Sequence, residues 1–167
     1  MTLDDFNKLN DQQAYQQLML CNTSSKWCQA MIAQRPWESL QSLMLLAIRC
    51  WLLSDEEDLL EAFEGHPQIG DITTLREKYQ ESKAIAGDEQ SGVEQASEKV
   101  LQDLASGNKA YYQKMGFIFI VCASGKTAEE MLELLQERLN NSRQQELDNA
   151  AIEQAKITQI RLQKLFE

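Results

Sequence analysis

Apolar residues recur at every third or fourth position along most of this chain, which is the spacing of an amphipathic α-helix. Only seven glycines and two prolines interrupt the pattern, and helix-forming residues dominate. The pattern predicts a helix that starts near Thr2 and further helices over residues 11–20, 25–33, 36–53, 54–63, 72–80, 93–105, 108–114, 127–139 and 143–166. Residues 81–92 are polar and rich in small side chains, which predicts a loop with some helical content. The expected fold class is all-α.

Two segments determine the architecture that we expect. The helix predicted over residues 36–53 is apolar around much of its circumference, which is typical of the buried centre of a bundle. Residues 117–123, with the sequence FIFIVCA, have the composition of a strand, but no second strand is available to pair with them. Ser106 and Gly107 are expected to end one helix before the next begins. The prediction is a single-domain multi-helix bundle over residues 1–167, with a central apolar helix and one buried extended segment.

The charge balance restricts the choice of partners. The chain has 167 residues, enough for one domain with a full core, and a formal net charge of −10. Because an acidic protein repels the phosphate backbone, we expect no nucleic-acid partner. No apolar run is long enough to span a bilayer, and the acidic first residues do not resemble a signal peptide. We therefore expect no membrane association and a cytoplasmic location.

The cysteines do not indicate a metal centre. Cys21, Cys28, Cys50 and Cys122 show neither CxxC nor zinc-ligand spacing, and the chain has a single histidine. Free thiols in a reducing compartment are expected rather than disulfides. We predict no metal site.

The only histidine, His66, lies between Gly65 and Pro67 in the sequence EGHPQIGD, residues 64–71. Glycine allows backbone angles that other residues avoid, and Pro67 disfavours helical geometry at the residue before it. The sequence therefore predicts an imidazole on a tight, shaped loop, where a group that titrates near neutral pH suits proton transfer. A structural role, in which His66 caps a helix or fills a turn, fits the same pattern.

Arg161 is the second candidate residue. In the last predicted helix it shares the apolar face with Ile157 and Leu165, which lie four positions away on either side. A guanidinium on that face must reach a partner, water or an anionic ligand, because its burial without compensation costs several kcal/mol. Binding of an anionic substrate and pairing with a structural carboxylate both remain open. Arg138, beside Leu134, Leu135 and Leu139, has the pattern of a surface or structural residue.

The third candidate is a glutamate in a segment of small residues. Glu89 lies in AGDEQSG, residues 86–92, and a second Glu-Gln pair follows at Glu94 and Gln95. Both pairs offer strong hydrogen-bonding groups, and most such residues are solvated loop polars. The pattern alone does not choose between Glu89 and Glu94.

Four segments in order resemble the family of OHCU decarboxylases, where OHCU is 2-oxo-4-hydroxy-4-carboxy-5-ureidoimidazoline, an intermediate of urate breakdown. These are FEGHPQIGD at residues 63–71, with the family's HPxIG signature, GDEQSG at 87–92, NxxYxxKMGFIFIVCA at 108–123 and IxxIRLxxL at 157–165. The match covers almost the whole chain. The family often has Phe-Gly-Phe-Pro at residues 115–118 and arginine at position 68, whereas this chain has MGFI and Gln68.

The resemblance implies a cofactor-independent decarboxylase that converts a small-molecule substrate, OHCU, to (S)-allantoin. His66, Glu89 and Arg161 match the family's catalytic residues, and Glu89 is preferred to Glu94 on this basis. The resemblance also favours a homodimer. The substrate-binding positions that it implies are Pro67, Ala86, Gly87, Asp88, Gln90, Phe119, Ile120, Val121, Cys122 and Ala123.

Two other functions are alternatives to a decarboxylase. One is a noncatalytic helical binding module whose acidic surface contacts a basic partner, with the His66 loop as a structural corner. The other is a ureido hydrolase, but such enzymes commonly need metal ligands from several His and Asp residues, which one histidine does not supply.

Overall fold

The computed structural model describes residues 1–67, 72–83 and 91–167, and all regular secondary structure within these ranges is α-helix. The all-α prediction is therefore confirmed. In the described residues the helices are α1 (Leu3–Asn7), α2 (Asp11–Met19), α3 (Ser25–Ile32), α4 (Leu40–Leu52), α5 (Glu56–Glu64), α6 (Ile72–Lys83), α7 (Ser91–Met115), α8 (Ala128–Arg138) and α9 (Arg143–Phe166). Residues 81–83 and 91–92 of the expected loop belong to α6 and α7, and every described helix is too short or too polar to traverse a bilayer.

Polar residues that cap the first turn decide where several helices begin. Thr127 and Glu130 form a capping box at the start of α8, where the sequence pattern predicts a helix from residue 127. The helix predicted from residue 36 instead begins at Leu40, because Ser39 and Ser42 form a capping box there. Likewise, the side chain of Asp55 caps α5 by accepting the backbone N–H of Asp58.

The chain divides into two compact units, Met1–His66 with Ala151–Glu167, and Pro67–Ala150. In the first unit α3 packs against α2, α4 and α5. Its residues Trp27, Cys28 and Met31 are fully or almost fully buried, and the indole N–H of Trp27 donates to the carbonyl oxygen of Ala47 at 3.0 Å. The expectation that residues 1–167 form a single domain remains a prediction.

Helix α4 is apolar as predicted, but it is not buried on all sides. One face, formed by Leu43, Ala47 and Trp51, is buried in the first unit. On the other faces Leu45 and Leu52 are 58% and 76% exposed. An apolar composition predicts that a helix can be buried, but neighbouring helices determine how many of its faces are covered.

In the second unit α7 packs against α6 and α8. Helix α7 continues through Ser106 and Gly107, so the predicted break there is wrong. A Cβ atom on Gly107 would lie 2.7 Å from Cδ2 of Leu135, which is fully buried on α8. This glycine therefore permits a close approach of two helices and does not end one.

Residues 117–123 follow α7 without forming a helix or strand. Gly116 has a φ of +79°, a conformation that glycine adopts without strain, and it turns the chain out of α7. Phe117 and Ile120 are buried, whereas the other residues of the segment are half-buried. The segment is non-helical as expected, but only Phe117 and Ile120 of its residues are buried, so the prediction that the whole segment is buried is wrong.

Candidate active site

His66 lies directly after α5, where the chain leaves the helix. Its backbone N–H donates to the carbonyl oxygen of Phe63 at 3.1 Å. Gly65 has an ordinary φ of −70°, so the predicted need for unusual backbone angles is wrong at this residue. Glycine is required here because a side chain has no space: a Cβ atom on Gly65 would overlap Oγ1 of Thr23. Thr23 in turn donates from Oγ1 to the carbonyl oxygens of Glu61 and Ala62, which fixes it against the end of α5.

The imidazole of His66 is half-buried and contacts a residue from the far end of the chain. Its Nε2 atom lies 2.6 Å from Oε1 of Gln154 on α9. Burial lowers the pKa of His66 below its ordinary value, the hydrogen bond with Gln154 opposes this, and the positive charge of Arg161 lowers it further. The ring is therefore held mainly uncharged near neutral pH.

Gln154 belongs to a buried row of polar side chains in the first unit. Its Nε2 atom donates to Oγ1 of Thr158, one turn later on α9, and Nδ2 of Asn22 donates to the same oxygen, each at 3.3 Å. Gln154 and Asn22 are 0% exposed and Thr158 is 3% exposed. Polar groups so deeply buried need hydrogen-bond partners, and these three side chains provide them for one another.

Arg161 lies one turn after Thr158 on α9, and its Nη1 atom donates a long hydrogen bond of 3.4 Å to the carbonyl oxygen of Cys21. Burial raises the pKa of the Cys21 thiol to about 11, although the charge of Arg161 acts in the opposite direction. The same charge acts on His66. The structure therefore brings two of the predicted catalytic residues, His66 and Arg161, into electrostatic range within the first unit.

The predicted substrate-binding segment lies in the second unit and is held there by Arg138. Nη1 of Arg138 donates to the carbonyl oxygen of Ile120 at 2.7 Å, and the guanidinium carbon lies 4.8 Å from the centre of the Phe119 ring. The Phe119 ring also meets Tyr111 edge to face, with 5.3 Å between the ring centres. Nζ of Lys126 donates to the carbonyl oxygen of Cys122 at 3.1 Å.

Arg138 is itself positioned by a buried carboxylate. Glu146 is 0% exposed and accepts hydrogen bonds from Nε of Arg138 at 2.6 Å and from the hydroxyl of Tyr111 at 2.5 Å. The Nδ2 atoms of Asn141 and Asn149 donate two further hydrogen bonds to the Glu146 carboxylate, at 2.8 and 2.9 Å. Burial opposes ionisation, but these hydrogen bonds and the charge of Arg138 outweigh it and lower the pKa of Glu146.

The predicted site residues in the segment 84–90 are not among the described residues. Glu89, with the neighbouring substrate-binding positions Ala86, Gly87, Asp88 and Gln90, lies outside the described residues. The structure likewise describes only the backbone at Glu94, so the choice between the two glutamates stays a prediction. Pro67 is described and is exposed, and Val121 and Ala123 are half-buried.

Sequence reasoning missed the residues that support the site. Gln154 and Thr158 lie four positions apart on a buried stripe with Ala150 and Leu162. Polar residues at such positions are the signal that could have identified them, because they need internal partners. The sequence pattern of Arg138 fits a surface or a structural residue, and because its side chain is only 11% exposed, the structural interpretation is correct.

Comparisons with known proteins agree with the sequence resemblance. The chain is 37% identical to the protein in a crystal structure titled OHCU decarboxylase in the presence of (S)-allantoin, with a TM-score of 0.71 over 95% of this chain and 99% of that one. It is 38% identical over 148 residues to the uric acid degradation bifunctional protein of Arabidopsis thaliana, covering 88% of this chain and 45% of that protein. It is also 24% identical to the 2-oxo-4-hydroxy-4-carboxy-5-ureidoimidazoline decarboxylase of Halalkalicoccus jeotgali, covering 99% of this chain and 92% of that one.

The extent of these matches differs between relatives. The chain spans less than half the length of the bifunctional relatives from Arabidopsis thaliana and Bacillus subtilis. The family model described as OHCU decarboxylase matches residues 7–163, which is nearly the whole chain. This chain therefore belongs to the OHCU decarboxylase family.

Proposed function

We propose that this protein removes CO₂ from 2-oxo-4-hydroxy-4-carboxy-5-ureidoimidazoline and forms (S)-allantoin in urate degradation, without a cofactor. The observation that supports this most directly is the half-buried imidazole of His66, hydrogen-bonded to Gln154 and within range of the Arg161 charge. A group that exchanges protons and a cation suited to an anionic substrate thus occur together on a chain of this family.

The substrate provides its own electron sink. When the bond to the carboxyl carbon breaks, its electron pair moves into the ring, where the adjacent C=N and carbonyl groups delocalise the charge. The protein must then orient the substrate, stabilise the developing negative charge and deliver a proton to one face. Protonation on a single face yields one enantiomer, which we propose to be the S form.

Each predicted catalytic residue has one proposed task in this reaction. His66 acts as general acid and base beside the departing carboxylate and the hydroxyl group. Arg161 stabilises negative charge on the carboxylate or ring with its planar guanidinium. Glu89 orients either the imidazole of His66 or the ureido N–H groups of the substrate. We further propose that Pro67, residues 86–88, Gln90 and the backbone of residues 119–123 bind the substrate.

The direct test is a decarboxylation assay on freshly generated substrate, compared with its spontaneous decay. We expect faster loss of substrate absorbance, release of CO₂ and circular dichroism that indicates one enantiomer of allantoin. A rate equal to spontaneous decay, with folded protein at micromolar concentration, would exclude the decarboxylase and favour a noncatalytic binding module.

We also propose a homodimer in the cytoplasm. The exposed apolar side chains of Leu45, Ile48 and Leu52, which share one face of α4, support an interface, since large exposed apolar patches commonly mark such sites. Cys21, Cys28 and Cys50 are free thiols, as expected in a reducing compartment. Sedimentation equilibrium should give twice the 19.1 kDa chain mass, and Leu45→Glu with Leu52→Glu should give the monomer. A wild-type protein that sediments as a monomer would contradict the dimer.

A further inference from the structure

We infer that Gln154 is a positioning residue that holds neutral His66 in the tautomer protonated at Nε2, so that Nδ1 is the nitrogen that accepts and returns the proton. The role of Nδ1 in proton transfer rests on the proposed function. The tautomer of His66 is independent of that function, because it follows from the hydrogen-bond donors and acceptors of the first unit.

The backbone N–H of Ser24 fixes the orientation of Asn22. A backbone N–H group can only donate, and this one donates to Oδ1 of Asn22 at 3.0 Å. The other end of that amide, Nδ2, must therefore point away from Ser24. It lies 3.3 Å from Oγ1 of Thr158 and donates to it.

Thr158 has one hydroxyl proton, and the backbone determines where that proton goes. Oγ1 of Thr158 lies 2.9 Å from the carbonyl oxygen of Gln154, which can only accept a hydrogen bond. The proton is used there, as is common for threonine within a helix. The remaining lone pairs of Oγ1 can then only accept, and Nδ2 of Asn22 occupies one of them.

The side chain of Gln154 must supply the second donor to Thr158. Its Nε2 atom lies 3.3 Å from Oγ1, so the amide nitrogen points toward Thr158 and the amide oxygen points toward His66. The reverse orientation would place two acceptors against each other at Thr158, because its proton is already committed. Because Gln154 and Thr158 are buried, water does not compensate for such a mismatch.

An acceptor at Oε1 of Gln154 requires a donor at Nε2 of His66. The contact of 2.6 Å therefore places the proton on Nε2 in the neutral ring and leaves the lone pair on Nδ1. Protonation at Nδ1 preserves this bond, since both nitrogens of imidazolium donate. Burial and the nearby charge of Arg161 disfavour imidazolium, and the amide of Gln154 orients the ring without adding a negative charge.

The single histidine makes the tautomer measurable by ¹⁵N NMR. Protein labelled at histidine gives one pair of imidazole nitrogen signals, and protonated and lone-pair nitrogens differ strongly in chemical shift. Above the titration of His66, we expect wild-type protein to show a protonated Nε2 and a lone-pair Nδ1. A ring protonated at Nδ1, or an equal mixture, would overturn the inference whatever the enzymatic activity.

Two variants at Thr158 test the role of Gln154. Thr158→Val removes the acceptor that orients the amide, so we expect a mixture of tautomers and a loss of kcat of about tenfold with KM little changed. Thr158→Ser keeps the hydroxyl and should restore both the Nε2 tautomer and kcat. Circular dichroism and melting temperature establish that each variant is folded. A folded Thr158→Val protein with an unchanged ¹⁵N pattern would exclude orientation through Gln154.

Gln154→Glu provides a second, independent readout. A carboxylate at this position adds a negative charge beside Nε2, so the ¹⁵N titration midpoint of His66 should rise by about 1 to 3 pH units. An unchanged midpoint would show that residue 154 does not contact the imidazole in solution, and would overturn the inference. If the NMR results are as expected but OHCU decays only at its spontaneous rate, the positioning stands and the proposed function fails.

Discussion

Nη1 of Arg138 donates a 2.7 Å hydrogen bond to the carbonyl oxygen of Ile120, in the non-helical segment that follows α7. The same guanidinium binds the buried carboxylate of Glu146 and lies over the ring of Phe119. One cation thus joins α8, α9 and the segment whose backbone we propose as part of the substrate site. The carbonyl of Ile120 is committed to this contact, which limits the ways in which the segment can bind a ligand.

Replacing Arg138 by leucine should destabilise the fold. The change leaves Glu146 buried with no positive partner, and breaking a buried ion pair in this way costs about 3–5 kcal/mol in the free energy of unfolding. Urea denaturation measures the loss. Lys99→Ala is the matched control, because Lys99 pairs with Asp103 on an exposed face of α7 and should cost less than about 0.5 kcal/mol. Equal effects of the two changes would contradict a structural role for Arg138.

Gly65→Ala should also be destabilising, although the backbone of Gly65 is one that alanine adopts readily. Its Cβ atom would overlap Thr23, and forced overpacking typically costs about 1–3 kcal/mol. Thermal unfolding of Gly65→Ala, alone and combined with Thr23→Ala, shows whether the lost stability comes from overlap with Thr23 or from the backbone conformation at residue 65. The double variant should recover part of the lost stability. No recovery would indicate that Thr23 is not the obstacle.

His66→Asn should leave the fold intact and remove most of the turnover. Positioned proton transfer typically contributes a factor of about 10² to 10⁴, so kcat for decarboxylation should fall by that range. The melting temperature and the far-ultraviolet circular dichroism serve as controls for folding. Undiminished decarboxylation by a folded His66→Asn enzyme would exclude the histidine from the mechanism.

Arg161→Lys should weaken substrate binding. A lysine retains the charge but not the planar pair of donors, and losing a hydrogen bond to a charged group costs about 1.5–3 kcal/mol. We therefore expect KM to rise roughly 10- to 100-fold. Arg49→Lys, on an exposed position of α4, is the control and should leave KM unchanged. If Arg161→Lys leaves both KM and kcat unchanged, the proposed role of Arg161 is wrong.

The pH dependence should reflect the lowered pKa of His66. If neutral His66 accepts the proton, kcat/KM should rise with pH on an acid limb whose midpoint lies below 6.5, the ordinary value for histidine. Removing the nearby charge with Arg161→Gln should move the ¹⁵N titration midpoint of His66 upward.

Protein stability should depend on pH for the same reason. The pKa of His66 is lower in the folded protein than in the unfolded chain, so as the pH falls below about 6.5 the unfolded chain is protonated first and the free energy of unfolding should decrease. A midpoint above 6.5 would contradict burial of the ring.

The His66 loop was recognisable from the sequence for reasons that are local. Pro67 disfavours helical geometry at His66, and α8 begins directly after Thr127 because Thr127 and Glu130, three residues apart, form a capping box. Gly65 and Gly107 show the limit of such reasoning. The sequence pattern predicts unusual backbone angles at Gly65 and a helix end at Gly107, whereas both glycines are required by neighbours distant in sequence, Thr23 and Leu135.

The sequence by itself determined the helical class, most helix positions and the identity of His66 and Arg161 as candidates, because periodicity, capping and residue chemistry act over a few positions. Tertiary structure alone decided which face of α4 is buried, and that Gln154 lies against His66 across 88 residues of chain. It also decided that Arg138 joins Glu146 to Ile120. These outcomes depend on which helices pack together, and burial then selects the polar partners that each buried group must find.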